Sequence, residues 1–206
     1  MALNSSQQWW VRTDGNELNG GGYDSDVAGA GTNYSDQAAA QLSLSDLASP
    51  GAGTTITSAT GGFTSAMIGN IIRIASGTNF TAGYYAITGW TSLNQITVDK
   101  AATTGVGASG VGRIGGAHAS LCSYTTGGTG LPSPILTSPM AAGNTVNIRG
   151  SGSLDPSNGS PDYDYSAGYW IFPASNNTSG LVKFVGYNGR PLIKTSGLLS
   201  FTNPGT

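Results

Sequence analysis

Charged side chains are scarce in this sequence. Its 206 residues include 8 Lys and Arg and 10 Asp and Glu, which make up 9% of the chain and give a net charge of -2, whereas a typical soluble domain is about 25% charged. Binding to nucleic acid needs a cationic surface that displaces counterions, and these scattered basic residues do not supply one. The content of 38% hydrophobic residues is also too high for a disordered chain. We therefore expect a folded protein that does not bind nucleic acid.

Cysteine, long apolar runs and a leader pattern are also lacking. The single cysteine, Cys122, cannot form an internal disulfide, so packing or oligomerisation must stabilise the fold. No run approaches the roughly 18 consecutive apolar residues of a membrane span. The first eight residues contain neither a basic nor an apolar segment, which argues against a standard signal peptide. We expect a protein that is made in the cytoplasm and does not enter a membrane.

Glycine, in contrast, is abundant. There are 33 glycines among the 206 residues, well above the usual share of about 7%. They are mixed with Thr, Ser and Asn without a Gly-X-Y period, which excludes collagen. Glycine-rich turns between β-branched segments are typical of strands. The composition therefore predicts an all-β fold.

Residues 1–50 are predicted to form an N-terminal arm with a first strand and one short helix. The only apolar cluster of the arm is Trp9-Trp10-Val11, which lies ahead of a run of glycines. The helix is predicted over residues 35–48, because Ser35 can cap it and an alanine-rich stretch follows. Ser49-Pro50-Gly51 would end it.

Residues 51–126 are predicted to form a second unit, an antiparallel β-meander or small barrel. The apolar periodicity here changes from helical to alternating. Connections of about ten residues are too short for a helical crossover, so neighbouring strands should be antiparallel. The predicted strands are centred on residues 54–57, 71–74, 84–87 and 95–98, with a further candidate at 111–114.

Residues 127–206 are predicted to form a third unit of short strands, which begins after the loop of glycines and prolines at 127–134. Tight glycine corners between the strands suit the rungs of a β-solenoid and suit hairpins equally well. The pattern leaves both arrangements open. The predicted strands are residues 145–149, 168–172, 181–185, 192–194 and 198–201.

Three segments, taken in order, resemble right-handed parallel β-helix proteins of the pectate-lyase-like superfamily. Residues 10–21 resemble their first strand and glycine-rich turn, residues 69–117 an insertion found in phage and environmental-virus members, and residues 183–193 an early rung. The resemblance implies a structural component of a bacteriophage-like virion, such as a capsid decoration, a head fibre, or a tail spike or tail fibre. It further implies a homo-oligomer, preferably a trimer, that contacts other virion proteins.

The chain departs from the enzymes of that superfamily in two respects. It is shorter than a full β-helix, and its rung-like strands offer only Lys183, Arg190 and Lys194 where those enzymes display acidic and basic catalytic groups. We therefore expect no enzymatic activity. The alternative is an adhesin of the same superfamily that degrades or binds cell-surface polysaccharide.

His118 and Cys122 are the residues best suited to metal binding or nucleophilic catalysis. One His and one Cys cannot complete a zinc site, and no second base accompanies them. We expect both to be packing residues.

Oxygen ligands at the short spacing of calcium loops occur at Asp14, Asn16, Glu17 and Asn19, at Asp24 and Asp26, and at Asp162 and Asp164. Turn formation explains these better than calcium, so no cofactor is expected.

The aromatic residues are the best candidates for an interface. Adjacent tryptophans on a strand point to opposite faces, so one ring of Trp9-Trp10 should pack on the chain itself and the other on a partner. Trp90 with Tyr84 and Tyr85 forms a second aromatic group, and aromatic rings of this kind fill cores and interfaces or stack on sugars. The predicted interface residues are Trp9, Trp10, Val11, Tyr163 and Tyr165.

Overall fold

The protein is almost entirely β. A computed structural model describes residues 7–119, 144–149, 163–165, 183–187 and 193–195. Within these ranges the one helical element is a single 3-10 turn at Ser65–Met67. The all-β fold predicted from the composition is therefore confirmed. The strands are β1 Gln8–Val11, β2 Gly22–Tyr23, β3 Leu42–Ser49, β4 Thr55–Ser58, β5 Ile71–Phe80, β6 Gly83–Ser92, β7 Gln95–Val98, β8 Thr103–Ile114, β9 Thr145–Arg149, β10 Tyr163–Tyr165, β11 Lys183–Tyr187 and β12 Ile193–Thr195.

Six of the strands close into a barrel in the order β3-β4-β7-β6-β5-β8. Every neighbouring pair is antiparallel, as the short connections predicted. Closure pairs both edges of the sheet, so the barrel has no open edge strand. Alternate side chains point inward and form an apolar core. That core comprises Leu44, Leu47, Ile56, Phe63, Met67, Ile72, Ile74, Tyr85, Ile87, Ile96, Val98, Ala102 and Ile114.

The glycines of β8 leave room for two large side chains of neighbouring strands. A Cβ atom at Gly110 would lie 2.8 Å from Leu47 Cβ and 2.8 Å from Phe80 Cε2, and a Cβ atom at Gly107 would lie 2.9 Å from the same Phe80 ring atom. Such distances are shorter than van der Waals contact, so an added methyl group would displace its neighbours. The high glycine content of this strand therefore reflects close packing.

The prediction of a helix over residues 35–48 is wrong. Residues 35–39 form turns and bends, and β3 is a strand of 8 residues. Leu44 and Leu47 have the three-residue spacing of one helix face, and both are buried. Their spacing results from a shift in register between Leu44 and Leu47 in the pairing of β3 with β8. Such a bulge lets both leucines face the core.

A second sheet has the order β11-β9-β1-β2 and is mainly parallel. β1 pairs with β9 from Gln8 opposite Thr145 to Val11 opposite Ile148. β9 pairs in turn with β11, and β10 pairs with β12, again in parallel. Hairpin strands would be antiparallel. Of the two arrangements left open by the sequence, the solenoid-like rung is therefore the one observed for β9 to β12. The predicted strands at 168–172 and 198–201 lie outside the described residues.

The predicted domain boundaries need correction at the N-terminus. β3 belongs to the barrel, so the barrel begins before residue 51. β1 is a central strand of the parallel sheet, so residues 8–11 are part of a folded unit. The two ends of the barrel segment meet, because the amides of Gly20 and Gly21 donate to the carbonyls of Gly115 and Gly116 at 3.0 and 2.9 Å. The barrel is thus inserted between β1 and its parallel partner β9.

Candidate interaction sites

A cluster of aromatic rings joins the parallel sheet to the outside of the barrel. Trp9 of β1 is fully buried, and its ring meets that of Tyr84 edge to face, with centroids 5.8 Å apart. The imidazole of His118 stacks on Trp9 at 6.2 Å and meets Tyr84 edge to face at 5.8 Å. Tyr84 lies on the outer face of β6, because its neighbour Tyr85 belongs to the barrel core. We call Trp9, Tyr84 and His118 the junction.

Charged and polar groups at the edge of the junction hold the same two units together. The Arg73 guanidinium lies 5.7 Å from the centroid of the Tyr84 ring, a cation–π arrangement. Its Nη1 donates to the backbone carbonyl of Glu17. Trp9 Nε1 donates to Asn144 Oδ1 at 3.3 Å, next to the start of β9. Burial raises the pKa of Tyr84, so its hydroxyl stays protonated.

His118 is a packing residue, as the sequence predicts. Its side chain is fully buried, and neither ring nitrogen has a hydrogen-bond partner within the described residues. A Cβ atom at Gly21, where φ is +71°, would lie 2.0 Å from His118 Nε2, so only glycine fits there. Burial, together with the charge of Arg73, lowers the pKa of His118 to about 3. The ring is therefore neutral at physiological pH. Cys122 lies outside the described residues.

Two of the five predicted interface residues are buried within the subunit itself. Trp9 and Val11 are fully buried, because both point from β1 toward the barrel side of the sheet. Their assignment to an interface is therefore wrong. Trp10 points to the opposite face of β1 and is partly exposed, as the alternation of a strand requires. The backbone of Tyr163 and Tyr165 lies in β10, and their side chains lie outside the described residues.

The oxygen-bearing side chains considered as calcium ligands make contacts within the fold. Asp14 receives two hydrogen bonds of 2.8 Å from the Arg12 guanidinium, and these lower the pKa of its carboxyl group. Asp24 Oδ1 accepts from the amide of Asp26 at 2.9 Å. Asn16 Oδ1 accepts from the amide of Leu18 at 2.8 Å. The part of the chain that is described contains no group of three or more His, Cys, Asp or Glu placed to share a metal ion.

The side chain of the buried Asn19 likewise forms hydrogen bonds within the fold. Its Nδ2 donates to the carbonyl oxygens of Ala38 and Ala117, at 3.0 and 2.9 Å. Glu17 contributes its backbone carbonyl to Arg73. Asp162 and the side chain of Asp164 lie outside the described residues. These contacts fasten the segment that follows β1 to the end of the barrel segment.

The hairpin between β6 and β7 carries an exposed apolar surface that includes Trp90, one of the aromatic residues named in the sequence analysis. Trp90 is 42% exposed and Leu93 is 57% exposed. The Trp90 indole is held in place, because its Nε1 donates to the carbonyl of Phe63 at 3.0 Å. Asn94 anchors the turn by donating from Nδ2 to the Ser58 carbonyl at 2.7 Å. We call Trp90 and Leu93 the hairpin surface.

No helix among the described residues is both long and apolar enough to cross a bilayer. No protein-family model, curated protein or solved structure matches the chain.

Proposed function

We propose that the chain is a non-enzymatic structural subunit of a bacteriophage-like virion, in which a parallel β-solenoid carries an inserted β-barrel. The observation that carries this proposal is the in-register parallel ladder of β1, β9 and β11. Repeated parallel strands stack into a stiff rod, because each rung pairs with the next. A rod that bears a closed barrel on its side suits a capsid decoration or a spike or fibre subunit. The resemblance of residues 10–21 and 183–193 to β-helix proteins supports the same proposal.

The roles of the titratable groups support a structural function. His118 and Tyr84 are buried at the junction and have no access to a substrate. The carboxylate of Asp14 is bound by Arg12. The carboxylate of Asp46 accepts hydrogen bonds from Ser58 Oγ and the Thr60 amide, both at 2.7 Å. Each of these groups stabilises a contact of the fold, whereas a catalytic acid or base has to reach a substrate.

Assembly into a homotrimer is part of the proposal, with Trp10 as its contact residue. Trp10 lies on the face of β1 opposite the barrel and is partly exposed. A large aromatic side chain at such a position is typical of interface anchors. The test is size-exclusion chromatography with light scattering on the wild type and on Trp10→Ala, with Val106→Ala as a control because Val106 is 65% exposed on the barrel. We expect a wild-type trimer that only Trp10→Ala disrupts. A wild-type monomer that cleaves polysaccharide would contradict the proposal.

A second candidate function, carbohydrate binding, is favoured by the hairpin surface. An indole fixed by a hydrogen bond presents a flat apolar face at little entropic cost. The residues around it, from Thr88 to Val98, include no charged side chain, which suits a neutral sugar better than an acidic one. Calorimetric titration with neutral oligosaccharides tests this function. We expect Trp90→Ala to abolish binding and Val106→Ala to retain it; equal binding by both variants would exclude the hairpin surface.

A further inference from the structure

His118 occupies a position between two units of the fold. On one side it stacks on Trp9 of the parallel sheet, and on the other it meets Tyr84 of the barrel. It is the only histidine in the chain. Titration of histidine in this protein would therefore affect the contact between the sheet and the barrel.

Within the described residues, no acceptor faces the ring nitrogens of His118, and the charge that acts on its ring is cationic. Protonation places a hydrogen on both ring nitrogens, and neither nitrogen has an acceptor within the described part of the chain. Arg73 of β5 is the nearby charge from the barrel, and it repels a second cation. The sequence contains no Asp or Glu between Asp99 and Asp155.

Among the described residues, the segment that follows β1 supplies further charged groups near the junction, and the one acidic side chain closest to Arg12 is paired with it. Arg12 binds Asp14 through its side chain, and its amide donates to the backbone carbonyl of His118 at 2.9 Å. The backbone carbonyl of Glu17 accepts from Arg73, while the Glu17 carboxylate adds to the rise in the pKa of Tyr84 that burial causes. The face of Trp9 would attract an imidazolium, but this attraction is small beside the cost of burying an unpaired charge.

We propose that His118 makes the junction acid-sensitive, so that protonation of its ring releases the barrel from the parallel sheet while the barrel itself remains folded. The barrel keeps its structure because its core is apolar and its strands are closed on themselves. The released state would expose Trp9, Tyr84 and Ile71, all of which are buried in the closed state. This inference concerns coupling between the two units and does not depend on the proposed virion function.

The direction of the effect follows from proton linkage. In the closed state burial lowers the pKa of His118 to about 3, whereas an exposed histidine has a pKa of about 6.5. Between about pH 3 and about pH 6.5, His118 is protonated in the released state and neutral in the closed state. The equilibrium constant for closure is therefore unaffected above about pH 6.5 and falls up to tenfold for each pH unit below it.

The experiment follows His118 in the full chain by NMR with ¹⁵N-labelled histidine, from about pH 7.5 to about pH 5, a range in which most carboxyl groups stay ionised. The Trp9–Tyr84 ring contact and the methyl groups of Ile72 and Ile96 in the barrel core are observed in the same samples. The comparison variant is His118→Phe, which keeps an aromatic ring between Trp9 and Tyr84 but cannot be protonated.

We expect the Trp9–Tyr84 contact of the wild type to weaken as the pH falls, while the isoleucine methyl signals persist. In His118→Phe the contact should not change over this range. The proposal would be overturned if His118 titrates near its ordinary pKa with the contact intact, or if both proteins lose the contact at the same pH. Should His118→Phe fail to fold, the wild-type titration decides alone, because a contact that persists unchanged across the range also overturns the proposal.

Discussion

Trp9 and Tyr84 meet edge to face across the boundary between the parallel sheet and the barrel, with their ring planes at 88° and their centroids 5.8 Å apart. One ring comes from the first strand and the other from the outer face of a barrel strand. Edge-to-face aromatic pairs add about 0.5–1.5 kcal/mol to the free energy of burial. This pair therefore fastens β1 to the barrel.

Replacing Trp9 with alanine should destabilise the protein by about 3–5 kcal/mol, because a fully buried indole leaves a large cavity. Urea denaturation followed by circular dichroism measures this change. Trp90→Ala is the control, since the exposed Trp90 should contribute much less to stability. Equal losses in the two variants would show that Trp9 is not a core residue.

Gly110→Ala should destabilise the barrel by about 1–3 kcal/mol, because the added methyl group would overlap Leu47 and Phe80. Gly51→Ala is the matched control, since a Cβ atom there has no neighbour within 4 Å. Differential scanning calorimetry of the two variants checks the prediction. A melting temperature for Gly110→Ala at or above that of Gly51→Ala would contradict the close packing of β8.

The contribution of Asp46 to stability should depend on pH. The hydrogen bond from Ser58 and that from the Thr60 amide lower the pKa of Asp46 in the folded state. The folded state then favours the ionised carboxylate, so the contribution is present above about pH 4 and is lost as the pH falls through the folded-state pKa.

Asp46→Asn tests this dependence by urea denaturation at two pH values. The variant should be less stable than the wild type at about pH 7 and equally stable at about pH 2, where the carboxyl group is protonated. Asp36→Asn, at an exposed position, is the control. A difference between Asp46→Asn and the wild type that is the same at both pH values would refute the linkage.

Asn70→Ala should cost about 1–3 kcal/mol, because it leaves several backbone groups without partners. The fully buried amide accepts from the Tyr34 amide at 2.8 Å and donates to the Thr32 carbonyl at 2.7 Å. It thereby fastens the segment before β3 to the barrel. Asn16→Ala removes a comparable bond at an exposed site and should have a small effect in thermal denaturation. If the two variants have the same melting temperature, Asn70 does not have this role.

Much of the barrel was predictable from local sequence. Apolar residues at 71–74, 84–87 and 95–98 predicted strands that correspond to β5, β6 and β7. The strand predicted at 145–149 has the observed bounds of β9. β3 was missed because a bulge brings Leu44 and Leu47 to the same face at a helix-like spacing. A bulge depends on the partner strand, so the pattern within one segment does not reveal it.

The candidate sites were predictable only in part. The burial of His118 followed from the lack of further ligands, and the opposite orientation of Trp9 and Trp10 followed from the geometry of a strand. Which of the two tryptophans is buried depends on Tyr84, a residue far away along the chain. The exposure of Trp90 likewise depends on where the Phe63 carbonyl lies in the barrel.

Composition and local pattern are enough to establish that the chain is all-β, where most of its barrel strands lie and which faces of those strands are apolar. These properties depend on composition and on the two-residue period of a strand, which act over a few neighbouring residues. The parallel pairing of β1 with β9, the insertion of the barrel between them and the contact of Trp9 with Tyr84 depend on tertiary contacts. Strand partners are selected by contacts between residues distant in the chain, and the local pattern of either strand is compatible with many partners.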